Sequence, residues 1–277
     1  MLVSPRNPLN IGAAARALSN FGFESLRLVQ AYRDAVEEAR SGVNASPLLA
    51  AAREFATVRE AVADCELVYG TGSMDRREQR HPLDRLDEAA ARMATVDGHV
   101  ALVFGSEKHG LSKDDFTYCQ RSLRIPTRQA HGSMNLGQAV AVCAYELSRA
   151  AAFRHASDHQ ISWGLSTDPS AHPSTRQTSS DPQTTSSPQT SLAHPDPLAA
   201  QTSAHRSSEV RATAADLDRL AGLLHEALSR SGYPQTASAD EKVRHLVRRL
   251  DLRPGDAEAW QGMVRQILWK LRDPRNE

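Results

Sequence analysis

The sequence predicts an α/β protein, a mostly parallel sheet with helices on both faces, followed by a small all-α unit. Three observations carry that expectation. Over residues 1–155, short β-branched or Leu-rich runs alternate with amphipathic helical stretches, the pattern of a sheet covered on both faces. From 156 to 207 the chain turns to Ser, Thr, Pro, Gln and His (STDPSAHPSTRQTSSDPQTTSSPQTSLAHPDP), which cannot bury enough surface to offset its ordering entropy, so a disordered linker is expected. From 208 to 277 only helical periodicity remains.

Within the first segment, strands are expected at Ser25–Gln30, Glu66–Thr71, Val100–Phe104 and Leu123–Ile125. Ahead of them only Met1–Ser4 remain where a full first strand is expected, so either the edge is abbreviated or the true start lies further upstream. Asn10 to Phe21 is rich in small Ala and ends at Gly22, so it reads as a helix with a glycine stop. Ser46 before Pro47 opens another, and Leu86–Met93 belongs to a third. Ser112 with Asp115 three residues on fits a capping box, and Asn135–Ala152 is a long Ala/Val-rich helix suited to burial. In the last segment Leu217, Leu220, Leu224 and Leu228 form one apolar stripe. Asp240 is expected to cap a second helix, and Asp256 a third that packs Trp260 and Trp269. A three-helix unit of this size is marginal alone and is expected to dock on something, the core or RNA, which a long linker permits without enforcing.

Composition narrows the function by exclusion. Lys+Arg and Asp+Glu balance at 33 each, which argues against a protein that coats nucleic acid through charge alone. The three cysteines, Cys65, Cys119 and Cys143, lack CxxC spacing and read as small buried residues. His155, Asp158 and His159 lie close in sequence but lack further ligands, so no metal site is expected. There is no apolar run near the ~18 residues that span a bilayer and no signal-peptide stretch at the N-terminus, so the cytoplasm is the expected location.

Chemistry is expected where glycines or small polar residues follow a strand, because ligands of open α/β sheets bind at the carboxyl edge. One such segment is Asn10-Ile11-Gly12-Ala13-Ala14-Ala15-Arg16, with Arg16 placed on the first helix facing that edge. A second is Gly70-Thr71-Gly72-Ser73, and a third runs from Phe104-Gly105 through Glu107 to Gly110-Leu111. A fourth is Ile125-Pro126-Thr127 with His131-Gly132-Ser133-Met134-Asn135-Leu136. Each loop alone is as well explained by a tight βα turn. No GxGxxG follows a first strand and no GxxxxGK[ST] occurs, which disfavours a dinucleotide or a phosphate-loop site.

Together these segments resemble the SPOUT superfamily, in its branch of tRNA/rRNA 2′-O-ribose methyltransferases, and within it the TrmJ-type proteins. The resemblance covers nearly all of residues 2–153, and Arg244–Leu271 looks like the TrmJ-type helical extension. It implies a C-terminal trefoil knot, a homodimer, S-adenosylmethionine as cofactor and tRNA as substrate, modified at the ribose of the first anticodon-loop nucleotide. It carries over Arg16, Glu107 and Asn135 as catalytic positions, and Thr71, Gly72, Ser73, Gly105, Gly110, Ile125, Gly132, Ser133 and Met134 as cofactor loops. Arg76, Arg77 and Arg80, just beyond the second segment, are expected to meet RNA phosphates. A TrmH-like enzyme acting elsewhere on tRNA or on rRNA, and a catalytically silent RNA-binding protein on the same fold, are the alternatives.

Overall fold

The computed structural model describes residues 1–42, 46–72, 81–128, 133–158, 210–233 and 237–272. Seven parallel strands are described: β1 (Leu2–Val3), β2 (Arg27–Val29), β3 (Arg53–Phe55), β4 (Cys65–Thr71), β5 (Leu83–Arg85), β6 (His99–Val103) and β7 (Arg121–Arg124). They pair as β1-β2-β3 and as β5-β7-β4-β6. A parallel bridge from Leu2 to Phe104 joins the two groups, with Val3 N donating to Phe104 O at 2.8 Å and Phe104 N to Met1 O at 3.0 Å. Read across, the order is therefore β3-β2-β1-β6-β4-β7-β5.

That order corrects one expectation. The first four residues are not an edge but the centre of the sheet, with Leu2 and Val3 buried between β2 and the end of β6. Two residues suffice because neighbours on both sides satisfy their backbone groups. β3 and β5 escape pattern reading because Arg53–Phe55 and Leu83–Arg85 have only three residues each and include charged ones.

The helices of the core are α1 (Pro8–Asn20), α2 (Arg33–Ser41), α3 (Pro47–Ala50), α4 (Val58–Ala61), α5 (Leu86–Met93), α6 (Lys113–Thr117) and α7 (Leu136–Asp158). α1 starts two residues before Asn10: Asn7 caps it, accepting from Leu9 N at 2.9 Å, and Pro8 sits at the first helical position, where a missing N–H costs nothing. Gly22, at φ +77°, ends it in the left-handed conformation that glycine tolerates. Ser46 caps α3, and Ser112 with Asp115 forms the expected capping box at α6. Ile11, Ala14 and Ala15 of α1 are fully buried, and a Cβ on Gly137 would lie 2.8 Å from that of Ala13, so α1 and α7 pack nearly backbone to backbone.

A buried polar cluster ties the far half of the sheet together. Asp84 on β5 accepts from the Tyr69 hydroxyl at 2.5 Å and from Arg121 at 2.6 and 2.7 Å, and pairs with Arg92 of α5 at 3.4 Å. Burial alone would raise the Asp84 carboxyl, but the Arg121 guanidinium and the Tyr69 hydroxyl outweigh it and hold the group below its ordinary range. The three cysteines are buried, and burial pushes each thiol up to about 12, so they behave as small apolar residues, as expected.

Residues 210–272 form α8 (Ala214–Arg230), α9 (Ala237–Arg248) and α10 (Pro254–Arg272). Leu217, Leu220, Val247, Val264 and Leu268 make their shared core. The unit does dock: Ala215 N donates to Ala63 O at 3.0 Å, Arg211 N to Glu66 Oε2 at 3.2 Å, and Asp218 pairs with Arg59 of α4 and with Arg248. Ala214 is buried among Val58, Ala61 and Val68 of the second core cluster.

Three details differ from expectation. Asp240 lies inside the first turn of α9, where it pairs with Arg244 at 2.8 Å and favours the helix dipole without capping it. Asp256 likewise sits inside the first turn of α10, because Pro254 pre-sets the helical φ two residues earlier. Trp260 and Trp269 are not packed but 44% and 58% exposed, since the face of α10 that meets α8 is made by Ala257, Gln261, Val264 and Leu268.

Candidate functional site

Glu107 is the hub of the carboxyl edge. It follows β6 in a tight turn closed by Gly110 N donating to Ser106 O at 2.8 Å, with Gly110 at φ +66°. A Cβ on Gly105 would come within 2.0 Å of the Gly110 carbonyl carbon, so only glycine lets the turn fold back on itself. Gly105→Ala is therefore expected to force the turn open and lower stability by about 2 kcal/mol or more; thermal denaturation checks this.

The turn presents the Glu107 carboxylate to the start of α1. Its Oε2 accepts from Arg6 N at 3.2 Å, and its Oε1 from Asn7 N and from Asn10 Nδ2, each at 3.1 Å. Asn10 in turn accepts from Asn135 Nδ2 at 2.9 Å, while Asn135 Oδ1 accepts from Gln138 N at 3.3 Å at the head of α7. Partial burial opposes ionisation of Glu107, but the bonds from Asn10, Asn7 and Arg6 outweigh it and lower its pKa. The start of α1 thus meets two segments, 97 and 125 residues further along, in one hydrogen-bonded chain.

The remaining site residues fall into three groups. Thr71 ends β4 with its hydroxyl turned inward, donating to Val103 O at 3.0 Å, and exposed Gly72 follows. Ile125 immediately follows β7, and Ser133 and Met134 immediately precede Asn135. Ser73, Gly132, Arg76, Arg77 and Arg80 lie outside the described residues, as do His159 and the side chains of His155 and Asp158.

Arg16 stands apart from this hydrogen-bonded chain. It lies six residues beyond Asn10 on a helix that runs away from the carboxyl edge, about 9 Å along the axis. Its side chain is exposed and forms no hydrogen bond or ion pair among the described residues. Within one protomer it is not part of the Glu107 network. Two of the strand-end glycines have packing roles of their own. Gly70 is demanded by Phe116, whose ring would lie 2.6 Å from a Cβ there, and Gly105 by Gly110; both serve the protein's own packing. Asn10, Asn7 and Arg6 were missed as site residues, although the Asn7-Pro8 cap signal marked where α1 must start.

A parallel α/β sheet whose carboxyl edge gathers an Asn–Glu–Asn network beside strand-end loops places the candidate site where ligands of open α/β sheets bind. The chain belongs to the SpoU rRNA Methylase family, whose model matches residues 1–145. It is 41% identical over 156 residues to TrmJ of Pseudomonas aeruginosa, covering 54% of this chain and 60% of that protein. It is 36% identical over 151 residues to TrmJ of Methanocaldococcus jannaschii, covering 53% and 65% respectively. The chain therefore spans less than two thirds of these relatives' lengths. The crystal structure of TrmJ from Z. mobilis ZM4 superposes with a TM-score of 0.68 at 26% identity, covering 96% of this chain and 97% of that one.

Proposed function

We propose that this protein is an S-adenosylmethionine-dependent methyltransferase that modifies a ribose 2′-hydroxyl of tRNA in the cytoplasm, at the first anticodon-loop nucleotide, a cytidine or uridine. The observation that carries the reading is the Asn10–Glu107–Asn135 network at the carboxyl edge. The two relatives support it: that of P. aeruginosa is named a tRNA (cytidine/uridine/adenosine-2′-O-)-methyltransferase and that of M. jannaschii a tRNA (cytidine-2′-O-)-methyltransferase. Among the described residues no helix is long and apolar enough to cross a membrane.

The cofactor fits the donor set. Thr71, Gly72, Gly105, Gly110, Ile125, Ser133 and Met134 present main-chain groups and no charged side chain, which suits an adenosine read by backbone amides and carbonyls. Gly72 and Gly110 leave their surroundings open, with nothing nearer than 3.4 Å to a Cβ on Gly72 and nothing within 4 Å of one on Gly110. When bound, the cofactor supplies a methyl group on a sulfonium centre. Glu107 orients the start of α1 and, through Asn10, the amide of Asn135, so that a ribose can be held in line; positioning is the main task of such a site. Arg16 stabilises negative charge developing on the ribose oxygen, and a phosphate or water takes the proton, since a guanidinium stays protonated.

That role for Arg16 requires a second protomer. Leu9 on α1 and Val142 and Tyr145 on α7 are exposed, an apolar surface that suits an interface between two copies. We propose a homodimer that brings Arg16 of one copy to the edge of the other. The order β4-β7-β5, with α7 returning to pack on α1 and α5, suits a chain threaded as a trefoil knot. The docked helical unit favours a TrmJ-type over a TrmH-type assignment. Division into a methyltransferase domain, a linker and a helical extension is part of the same reading.

The test is incubation of the chain with tRNA and labelled cofactor, followed by mass-spectrometric mapping of ribose methylation. One 2′-O-methyl group at the first anticodon-loop nucleotide is expected; absence of label from every tRNA would overturn the proposal. Changing Arg76, Arg77 and Arg80 together to Ala should weaken tRNA binding and flatten its salt dependence, by about 0.7–0.9 of a slope unit per lost phosphate contact. Affinity measured across a salt series checks this.

A further inference from the structure

Resting on the RNA-methyltransferase reading above, we propose that Tyr32 and Arg6 form a stacking platform for a nucleobase of the RNA strand, next to the ribose that is modified. The strand order places them on the β1/β2 side of Glu107, while the loops after β4 and β7 lie on the other. Cofactor and RNA would then approach the network from opposite sides. The Arg6 guanidinium lies 4.4 Å from the centre of the Tyr32 ring, and Tyr32 is still 46% exposed. Arg6 donates its backbone N–H to Glu107, so the platform is built into the same chain segment as the network. Exposed aromatic rings and guanidinium planes are the surfaces on which unpaired RNA bases stack.

Two further observations point to a ligand and not to the fold. Tyr32 occupies the N-cap of α2 yet makes no side-chain cap bond, a position where Ser, Asn or Asp would serve the helix better. The backbones leading to both residues are also held in a left-handed conformation by non-glycine residues, Ser4 at φ 49° and Gln30 at φ 47°. Such conformations are disfavoured and concentrate at functional sites. These two positions lie side by side, with Ser4 N donating to Val29 O at 2.8 Å, just ahead of Arg6 and Tyr32 in the chain. Among the described residues the Arg6 guanidinium stacks on Tyr32 and forms no ion pair, so its charge is available to the RNA.

Tyr32→Ser and Tyr32→Trp in the full chain test this. Ser supplies the missing cap, so Y32S should unfold at the same temperature as the wild type or higher, while its Kd and KM for an anticodon stem-loop RNA rise roughly tenfold and kcat holds. Y32W should keep near-normal affinity, and its added fluorescence, taken as the difference from wild type, should be quenched by the RNA. If the wild type methylates tRNA and Y32S binds and turns it over equally well, the platform is wrong and the functional reading stands. If the wild type neither binds nor methylates tRNA, both fall.

Discussion

Replacing Asp84 with Ala should destabilise the protein by about 3 kcal/mol, the cost of leaving a partly buried guanidinium without its carboxylate. Asp84 is 6% exposed and serves Tyr69, Arg121 and Arg92 at once, so its loss strands three polar groups on β4, β7 and α5. Denaturant titration measures the effect. Asp84→Asn should recover only part of it, since an amide cannot accept from all three and carries no charge to offset two guanidiniums. The pH dependence has a definite sign. The folded carboxyl titrates below its unfolded value, so its contribution is fully present above the ordinary carboxylate range and is lost as pH falls through the lower folded value. The variant should therefore lose less stability on acidification than the wild type, and equal acid sensitivity would show that Asp84 is not the group responsible.

The second large effect falls on activity. Arg16→Lys keeps the charge of an exposed side chain that has no hydrogen-bond or ion-pair partner among the described residues, so the melting temperature should not move. Methyl transfer should nevertheless fall by about 10²–10³, the usual cost of removing an oriented donor from a developing oxyanion. Near-normal turnover by R16K would remove any role that depends on the guanidinium fork. Mixing R16K with a second inactive variant, Asn135→Ala, tests the dimer. If Arg16 acts across the interface, some mixed dimers hold one intact composite site and activity returns; if each site is built within one chain, mixing restores nothing.

Much of the architecture was readable from residue pattern, for local reasons. Ser112 with Asp115, Ser46 before Pro47 and Gly22 after Phe21 act within one helical turn, so they mark helix ends whatever the rest of the chain does. Alternation and buried runs likewise marked β2, β4, β6 and β7. The misses have equally physical causes. Asp240 and Asp256 looked like caps because an acid suits both the N-cap and the first turn, and only the chain upstream decides between the two. The tryptophans of α10 fit an apolar periodicity that has two faces, and docking on α8 buries the other one.

At the candidate site, residue types and spacing pointed to Glu107 and Asn135 through a family resemblance, and to Arg16 in the same way. What they do to one another was not readable. Asn10 reaches Glu107 across 97 residues and Asn135 across 125, and no local rule links positions so far apart. By itself the sequence determined the strands and helices that local pattern can encode, the glycine turns, and the motifs that mark the family. Only the tertiary structure decided that two N-terminal residues are the centre of the sheet, that Asn10, Glu107 and Asn135 share one hydrogen-bonded chain, and that Arg16 makes no hydrogen bond to that chain. Those facts depend on strand order, which arises when buried surfaces pair across the whole chain and leaves no periodic trace in it.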